Sequence, residues 1–290
     1  MMLRTIREEI VVVKTYYRSN THITEWGDHD HPVIFCLHGL GSTALSFIEI
    51  AEELKGEFRI IAVDAPGHGR TVPFANPADY EMPRMAEWLE GVIQALKLED
   101  FYFLSHSWGS FAHLFYLFEN RDKVRGSILI DGGYQAKSLG NISEADEVAY
   151  YRKDFEDSWS TWDEFLNEAV YSGSRRSDAL DRAGEDLALM KDGRYYWHAR
   201  GETGAAYVMA MHRHEVLEHY HRLPQGIVLL RATLPVQREE NRIHMATLFK
   251  VGTKAIVKDI PQASHLIHWD RPDVIVNEIR ESWGKKDDEN

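Results

Sequence analysis

Short runs of β-branched and aromatic residues recur along this chain, each bounded by glycine, proline or polar residues: "EEIVVVKTYY", "HITEWG", "PVIFCLHG", "FRIIAVDAPG", "FYFLSHS", "RGSILIDGG", "GIVLLRAT" and "KAIVKDI". Runs of this composition and length predict eight strands. From the third onward they alternate with segments of helical period at 44–54, 83–96, 110–120, 239–249 and 272–283. That alternation predicts an α/β protein with a mostly parallel sheet, helices on both faces, and a ligand site beyond the carboxyl ends of the strands. One stretch breaks the rhythm. Residues 134–223 carry helical periodicity and no convincing strand, which predicts a helical lid inserted after the sixth strand, with 1–133 and 224–290 forming one core. Within it "TWDEFLNEAV" offers Thr161 and Glu164 as a capping box, with Trp162, Phe165, Leu166, Ala169 and Val170 on one helical face. The segment is rich in rings (Trp159, Trp162, Tyr171, Tyr195, Tyr196, Trp197, Tyr207), most of them expected to be packing between lid and sheet.

The run "FYFLSHSWGS" ends a core strand on Ser105, His106 and Ser107 and places Gly109 two residues later, ahead of a predicted helix. A sharp strand-to-helix turn of this kind projects its apical side chain above the sheet, and it tolerates only small residues two before and two after the apex. Ser105 and Gly109 meet that condition. Ser107 is therefore the candidate nucleophile, and the Trp108 N–H, at the helix N-terminus, is a candidate donor to a developing oxyanion. His106 precedes the apex, so its side chain is expected to point away and pack. After "PVIFCLHG" comes His38-Gly39-Leu40-Gly41-Ser42, where the Leu40 N–H would supply a second donor. The turn "DAPGHG" carries Asp64 and His68, and "PQASHLIHWDRP" supplies His265 in a loop after the last strand.

With "LHGLGS", "DAPGHG", "SHSWG" and "ASHLIHWDRP" in this order, the sequence resembles the α/β-hydrolase superfamily over nearly its whole length, and is most similar to lid-bearing serine hydrolases of the bacterial carboxylesterase type. It departs from the usual pattern at Ser105, where glycine is common. The resemblance implies a nucleophile–acid–histidine order, met by Ser107 and His265. It also implies an acid just after the seventh strand, but "GIVLLRATLPVQREE" has no aspartate there. A minority of such proteins place the acid after the sixth strand, which offers Asp131; Glu239 and Glu240 are the alternatives. The implied activity is hydrolysis of short- to medium-chain carboxylic esters through an acyl-enzyme, with Leu40 and Trp108 amides as the oxyanion hole. His38, Gly39, Gly41 and Gly109 would support that site, His68 would brace the neighbouring loops, and His268 and Trp269 would border it. No metal or cofactor is implied, and the ester is expected to carry an apolar group.

Composition narrows the partners. The chain has 290 residues and a formal net charge of −13, which disfavours nucleic acid and anionic membranes. Its one cysteine, Cys36, sits within an apolar strand and reads as a small buried hydrophobe. The N-terminal "EEIVVVK" is too short an apolar run for a signal or a span, so a cytoplasmic protein is expected. The histidine-rich "DHDH" and "HRHEVLEHYH" lack the i, i+4 spacing of a helical zinc pair. Rival readings are a lactonase, a carbon–carbon bond hydrolase, a peptidase for small N-terminal residues using the acidic run from Glu144 to Asp157, or a ligand receptor on the same fold.

Overall fold

The computed structural model describes residues 13–171 and 173–284. Its strands are β1 (Lys14–Arg18), β2 (Thr21–Trp26), β3 (Val33–Leu37), β4 (Arg59–Val63), β5 (Phe101–His106), β6 (Val124–Ile130), β7 (Ser158–Trp159), β8 (Ala188–Lys191), β9 (Arg194–Trp197), β10 (Val228–Ala232) and β11 (Ile256–Ile260). Residues 8–12 of the first predicted strand lie outside the described residues. The helices are α1 (Ile48–Leu54), α2 (Met82–Ala95), α3 (Trp108–Asn120), α4 (Glu144–Asp154), α5 (Trp162–Glu164), α6 (Asp178–Leu187), α7 (Gly201–Arg213), α8 (Glu239–Thr253), α9 (Ile267–Asp270) and α10 (Pro272–Trp283).

Eight strands form one sheet in the order β1-β2-β4-β3-β5-β6-β10-β11. The β1–β2 and β2–β4 pairs are antiparallel and the rest are parallel. The chain runs from β3 outward to β4, then returns to place β5 on the other side of β3. The carboxyl ends of β3 and β5 therefore form a topological switch point, the place where open sheets of this kind leave a crevice. Register fixes what stands there. Leu37 pairs with Ser105 and His106 with Ile130, so the residues following β3, β5 and β6 are level at one edge.

The parallel strands are buried on both faces, and successive residues feed different cores. Phe35, Leu37, Ile61, Phe103 and Leu229 pack beneath α2, α3 and α8. Ile34, Cys36, Ile60, Leu104 and Leu230 pack with α1 and α10 on the other face. Cys36 is fully buried, and burial pushes its thiol well up, as expected for a residue that serves as packing.

The stretch between β6 and β10 departs from the all-helical expectation. It contains a second sheet, β7-β9-β8. Its β8–β9 hairpin turns at Asp192-Gly193, both at positive φ (51° and 72°), which is the backbone a two-residue hairpin turn demands and which Asp-Gly supplies. The Thr161–Glu164 capping box is present, but the helix it starts continues as a π-helix from Phe165 to Tyr171. The wider turn brings Tyr171 to the buried side with Phe165, Leu166 and Val170. The rings of Trp159, Trp162, Phe165, Tyr195 and Trp197 form one cluster, so packing accounts for most of that aromatic content. Helices α4 and α7 lie against each other beside it.

Phe35 is fully buried at the sheet centre, edge-on to Phe101 and Phe103 at 5.9 and 5.2 Å. Phe35→Ala is expected to cost about 3–5 kcal/mol in urea-induced unfolding. A loss below about 1 kcal/mol would contradict close packing on that face.

Candidate active site

Ser107 occupies the sharp turn between β5 and α3 with φ 52° and ψ −123°, a strained conformation for a residue with a Cβ. Its N–H donates to Ile130 O (3.0 Å) and its carbonyl accepts from Ser110 N (3.0 Å), so the turn is anchored to β6 on one side and to its own helix on the other. Small neighbours are obligatory. A Cβ on Gly109 would lie 2.5 Å from His38 O, and one on Gly132 would lie 2.2 Å from Ser107 O. Ser105 fits the turn as the usual glycine would, and its hydroxyl is absorbed: it donates to Ser110 Oγ (3.0 Å) and accepts from His113 Nδ1 (2.9 Å), while Ser127 Oγ satisfies His113 Nε2 (3.0 Å).

Ser107 Oγ lies 2.8 Å from His265 Nε2, and His265 Nδ1 lies 2.8 Å from Asp131 Oδ2. Because a carboxylate only accepts, Nδ1 carries the imidazole proton and Nε2 is left as the basic nitrogen facing the serine. Asp131 also sits at positive φ (41°). Its other oxygen, Oδ1, accepts from Ala232 N and from Tyr134 Oη, both at 3.1 Å. The structure thus places Asp131 at the imidazole. Glu239 pairs with Arg231 and Arg242, each at 2.9 Å. Arg231 is buried in β10 and also pairs with Asp259, so it draws the first carboxylate after that strand to itself. Glu240 lies in a cleft wall nearby.

The proposed oxyanion loop is held by histidines. His38 Nδ1 donates to Gly39 O (2.7 Å) and its Nε2 accepts from Ala65 N (3.0 Å). His68 Nε2 accepts from Gly41 N (3.0 Å). Gly39 lies so close to Ser107 that a Cβ there would be 3.0 Å from Ser107 Cβ. Trp108 opens α3, so its N–H has no partner within the helix. Asp64 binds the same region together, accepting from His22 Nδ1 (2.8 Å), Ala44 N (2.8 Å) and Arg70 N (3.0 Å). Burial raises its carboxyl, yet these donors and nearby His38 outweigh burial and hold it below the ordinary range.

Three roles were not legible. His106 packs with its ring 4.8 Å from that of His265, and its Nε2 donates to His265 O at 2.9 Å, which positions the loop bearing His265. Tyr134, three residues after Asp131 in "DGGY", is fully buried with its hydroxyl on the acid; the spacing was the only signal. His268 and Trp269 lie behind the site and are buried: the His268 ring is 4.3 Å from that of His106, and Trp269 Nε1 donates to Ser46 O (3.0 Å). The histidine-rich runs sit elsewhere. His212 and His214 pair with Glu147 and Glu81, each at 2.6 Å, and His29 is exposed beside Asp30.

The strand order, the serine at the switch point and the histidine facing it are the arrangement of the α/β-hydrolase fold. A family model described as alpha/beta hydrolase fold matches residues 32–210, and the chain belongs to that family. It is similar to the human serine hydrolase-like protein (32% identical over 84 residues, 29% of this chain and 41% of that protein). It is similar to a 3-hydroxybutyrate-oligomer hydrolase of Cupriavidus necator (34% over 76 residues, 26% of each) and a haloalkane dehalogenase of Psychrobacter cryohalolentis (29% over 103 residues, 35% and 34%). The matches thus span 26 to 41% of these relatives' lengths. Among solved structures, the thioesterase domain from the curacin biosynthetic pathway superposes with a TM-score of 0.75 at 18% identity, covering 94% of this chain and 99% of that one. E-2-(acetamidomethylene)succinate hydrolase does so with 0.73 at 16%, covering 94% and 98%. At those identities the likeness is one of fold. No helix among the described residues is long and apolar enough to cross a membrane.

Burial holds His38 down to about 4 and His268 to about 3, and pushes His68, His106 and His113 well below the usual imidazole range. Folded, these rings stay neutral; unfolded, they take up protons near pH 6.5. The unfolded state therefore binds more protons below that pH, and stability is lost as pH falls from about 6.5 toward 4, by up to about 1.4 kcal/mol per pH unit for each ring. Calorimetric melting between pH 7 and 5 checks this; a flat melting temperature would contradict it. Separately, Tyr134→Phe removes one of two donors to Asp131 Oδ1 and is expected to lower kcat by about three- to tenfold with KM little changed, measured at steady state.

Proposed function

We propose that this chain is a serine carboxylesterase that hydrolyses neutral carboxylic esters through an acyl-enzyme. The observation that carries this reading is the continuous hydrogen-bonded line from Ser107 Oγ through His265 to Asp131, set on a turn that exposes the serine at the sheet edge. Ser107 Oγ attacks the ester carbonyl while His265 Nε2 takes its proton. Asp131 holds the ring in the tautomer that leaves Nε2 basic and stabilises the imidazolium that forms. The negative charge arising on the carbonyl oxygen is met by the Leu40 and Trp108 amides, donors already fixed in place before the reaction begins. The C–O bond to the alcohol then breaks, and Nε2 returns its proton to the departing oxygen. Water, activated by the same nitrogen, attacks the acyl-enzyme and frees the acid.

The partial likeness to haloalkane dehalogenases does not transfer their chemistry, since halide displacement needs a carboxylate at the apex and position 107 is serine. Residues 134–223 serve in this reading as the lid, with Phe155 over Gly41 and Tyr207 edge-on to Trp108 at 4.3 Å.

Steady-state hydrolysis of p-nitrophenyl esters from acetate to palmitate tests the reading. Wild type is expected to turn over short and medium chains, Ser107→Ala to lose about 10⁴- to 10⁶-fold in kcat, and Asp131→Asn about 10⁴-fold through the wrong imidazole tautomer. Glu240→Gln, which leaves the Asp131–His265 bond intact, should not show that loss of about 10⁴-fold. No turnover at any chain length would sink the ester reading; full activity in Asp131→Asn would remove Asp131 from the triad.

A further inference from the structure

Beside the triad lies a cleft of about 1060 Å³ with Asp131 and His265 in its wall, at the upper end of the size range of small-molecule sites. One side is formed by the segment after β10, with Leu234, Val236 and Met245; the other by the first part of the insert, with Ile142 and Tyr150. We propose that this cleft is the leaving-group subsite, and that the ester's alcohol arm is elongated, neutral and apolar at its far end; this rests on the esterase reading above.

Sheet order supplies the direction. The oxyanion amides follow β3 and β5, whereas Asp131 follows β6, and β10 and β11 lie beyond it. Donors to the carbonyl oxygen and the imidazole with its acid therefore stand on opposite sides of Ser107. The departing oxygen must come within hydrogen-bond reach of His265 Nε2 to receive the proton, because that nitrogen is the general acid. The alcohol consequently leaves on the imidazole side, the side whose Asp131 and His265 line the cleft, and the acyl group is held on the other.

Charge and exposure give the arm its character. Lys137 in the wall is engaged by Glu147 at 2.6 Å, and Arg242 by Glu239 at 2.9 Å, so each of these cations already has a carboxylate partner and neither is left for an anionic arm. At the mouth, Ile142 (46% exposed), Tyr150 (58%), Leu234 (38%) and Val236 (65%) remain in water. Apolar side chains gathered at the rim of a cleft mark a binding surface more often than chance exposure. An alkyl or aryl chain extending from the alcohol oxygen would cover them.

Two matched ester series decide the matter. Along alkyl acetates from ethyl to decyl, kcat/KM of the wild type is expected to rise by up to about fourfold per methylene buried, while ethyl esters from acetate to decanoate should show a shallower dependence. Val236→Glu and Ile142→Glu, both at exposed positions that the fold tolerates, should lower the decyl-to-ethyl acetate ratio at least about tenfold without lowering the ethyl decanoate-to-ethyl acetate ratio. Loss along the acyl series instead, or in neither, overturns the inference. Calorimetric titration of 1-decanol into Ser107→Ala and into Ser107→Ala/Val236→Glu reads the cleft without turnover. Saturable binding to the first and its loss in the second support the subsite even if no ester is hydrolysed, in which case it is the esterase reading that fails; absence of binding to the first counts against the subsite whatever the turnover.

Discussion

Three pieces of backbone meet at Ser107 with no room between them. Gly109 lies against His38 O, Gly132 against Ser107 O, and Gly39 against the serine side chain. These contacts exist because β3, β5 and β6 are neighbours whose carboxyl ends are level. They hold Ser107 at φ 52°, a conformation costing on the order of 1–3 kcal/mol that a free turn would relax. The packed sheet over-determines it. A one-residue slip between β5 and β6 would invert every side chain on the strand, and with it separate Ser107 from Asp131. The site is thus a consequence of strand register more than of any single hydrogen bond.

Around that contact the chain packs buried imidazoles in place of apolar groups. His38 and His68 each offer a ring nitrogen to a backbone N–H, at Ala65 and Gly41. A ring does this only when neutral, and desolvation keeps both rings in that form. Loops that would otherwise leave amide groups unsatisfied are closed by side chains whose hydrogen-bonding nitrogen sits several bonds from the backbone. His265 differs from its neighbours in exposure: its side chain is 49% exposed while His106 and His268 are buried behind it. The ring that faces Ser107 reaches solvent, and the rings behind it hold its loop.

Elements governed by local pattern were legible in the sequence. The last helix runs over 272–283 as its periodicity predicts, and the eight core strands fall where apolar runs end at glycine or polar residues. Ser107 was legible because its turn imposes a rule on residue size at fixed positions. The Asp192-Gly193 hairpin was written in the sequence too, but flanking strands of four residues each gave too little alternation to read. The π-helix had no signal, since its period differs from an α-helix over less than two turns. Asp131 was preferred over Glu239 and Glu240 from its place after the sixth strand, but what occupies Glu239 is a tertiary event invisible in sequence: Arg231, buried in β10, pairs with it.

The insert is tied to the core on both sides of the nucleophile, and by different means. On the oxyanion side the contacts are packed rings. Phe155 covers Gly41, and Tyr207 abuts Trp108 while its hydroxyl donates to Pro66 O at 2.8 Å. On the acid side Tyr220 stands edge-on to Phe249 of the core at 5.1 Å, while Lys137 and His212 converge on Glu147 within the insert itself. The first set is buried and apolar; the second leaves the cleft between Ile142 and Val236 open to water. Local opening requires less apolar surface to be exposed where less is buried. The rim between Ile142 and Val236 is where the insert leaves apolar surface in water, and in the proposed reaction the alcohol would depart there, away from the amides proposed to hold the oxyanion.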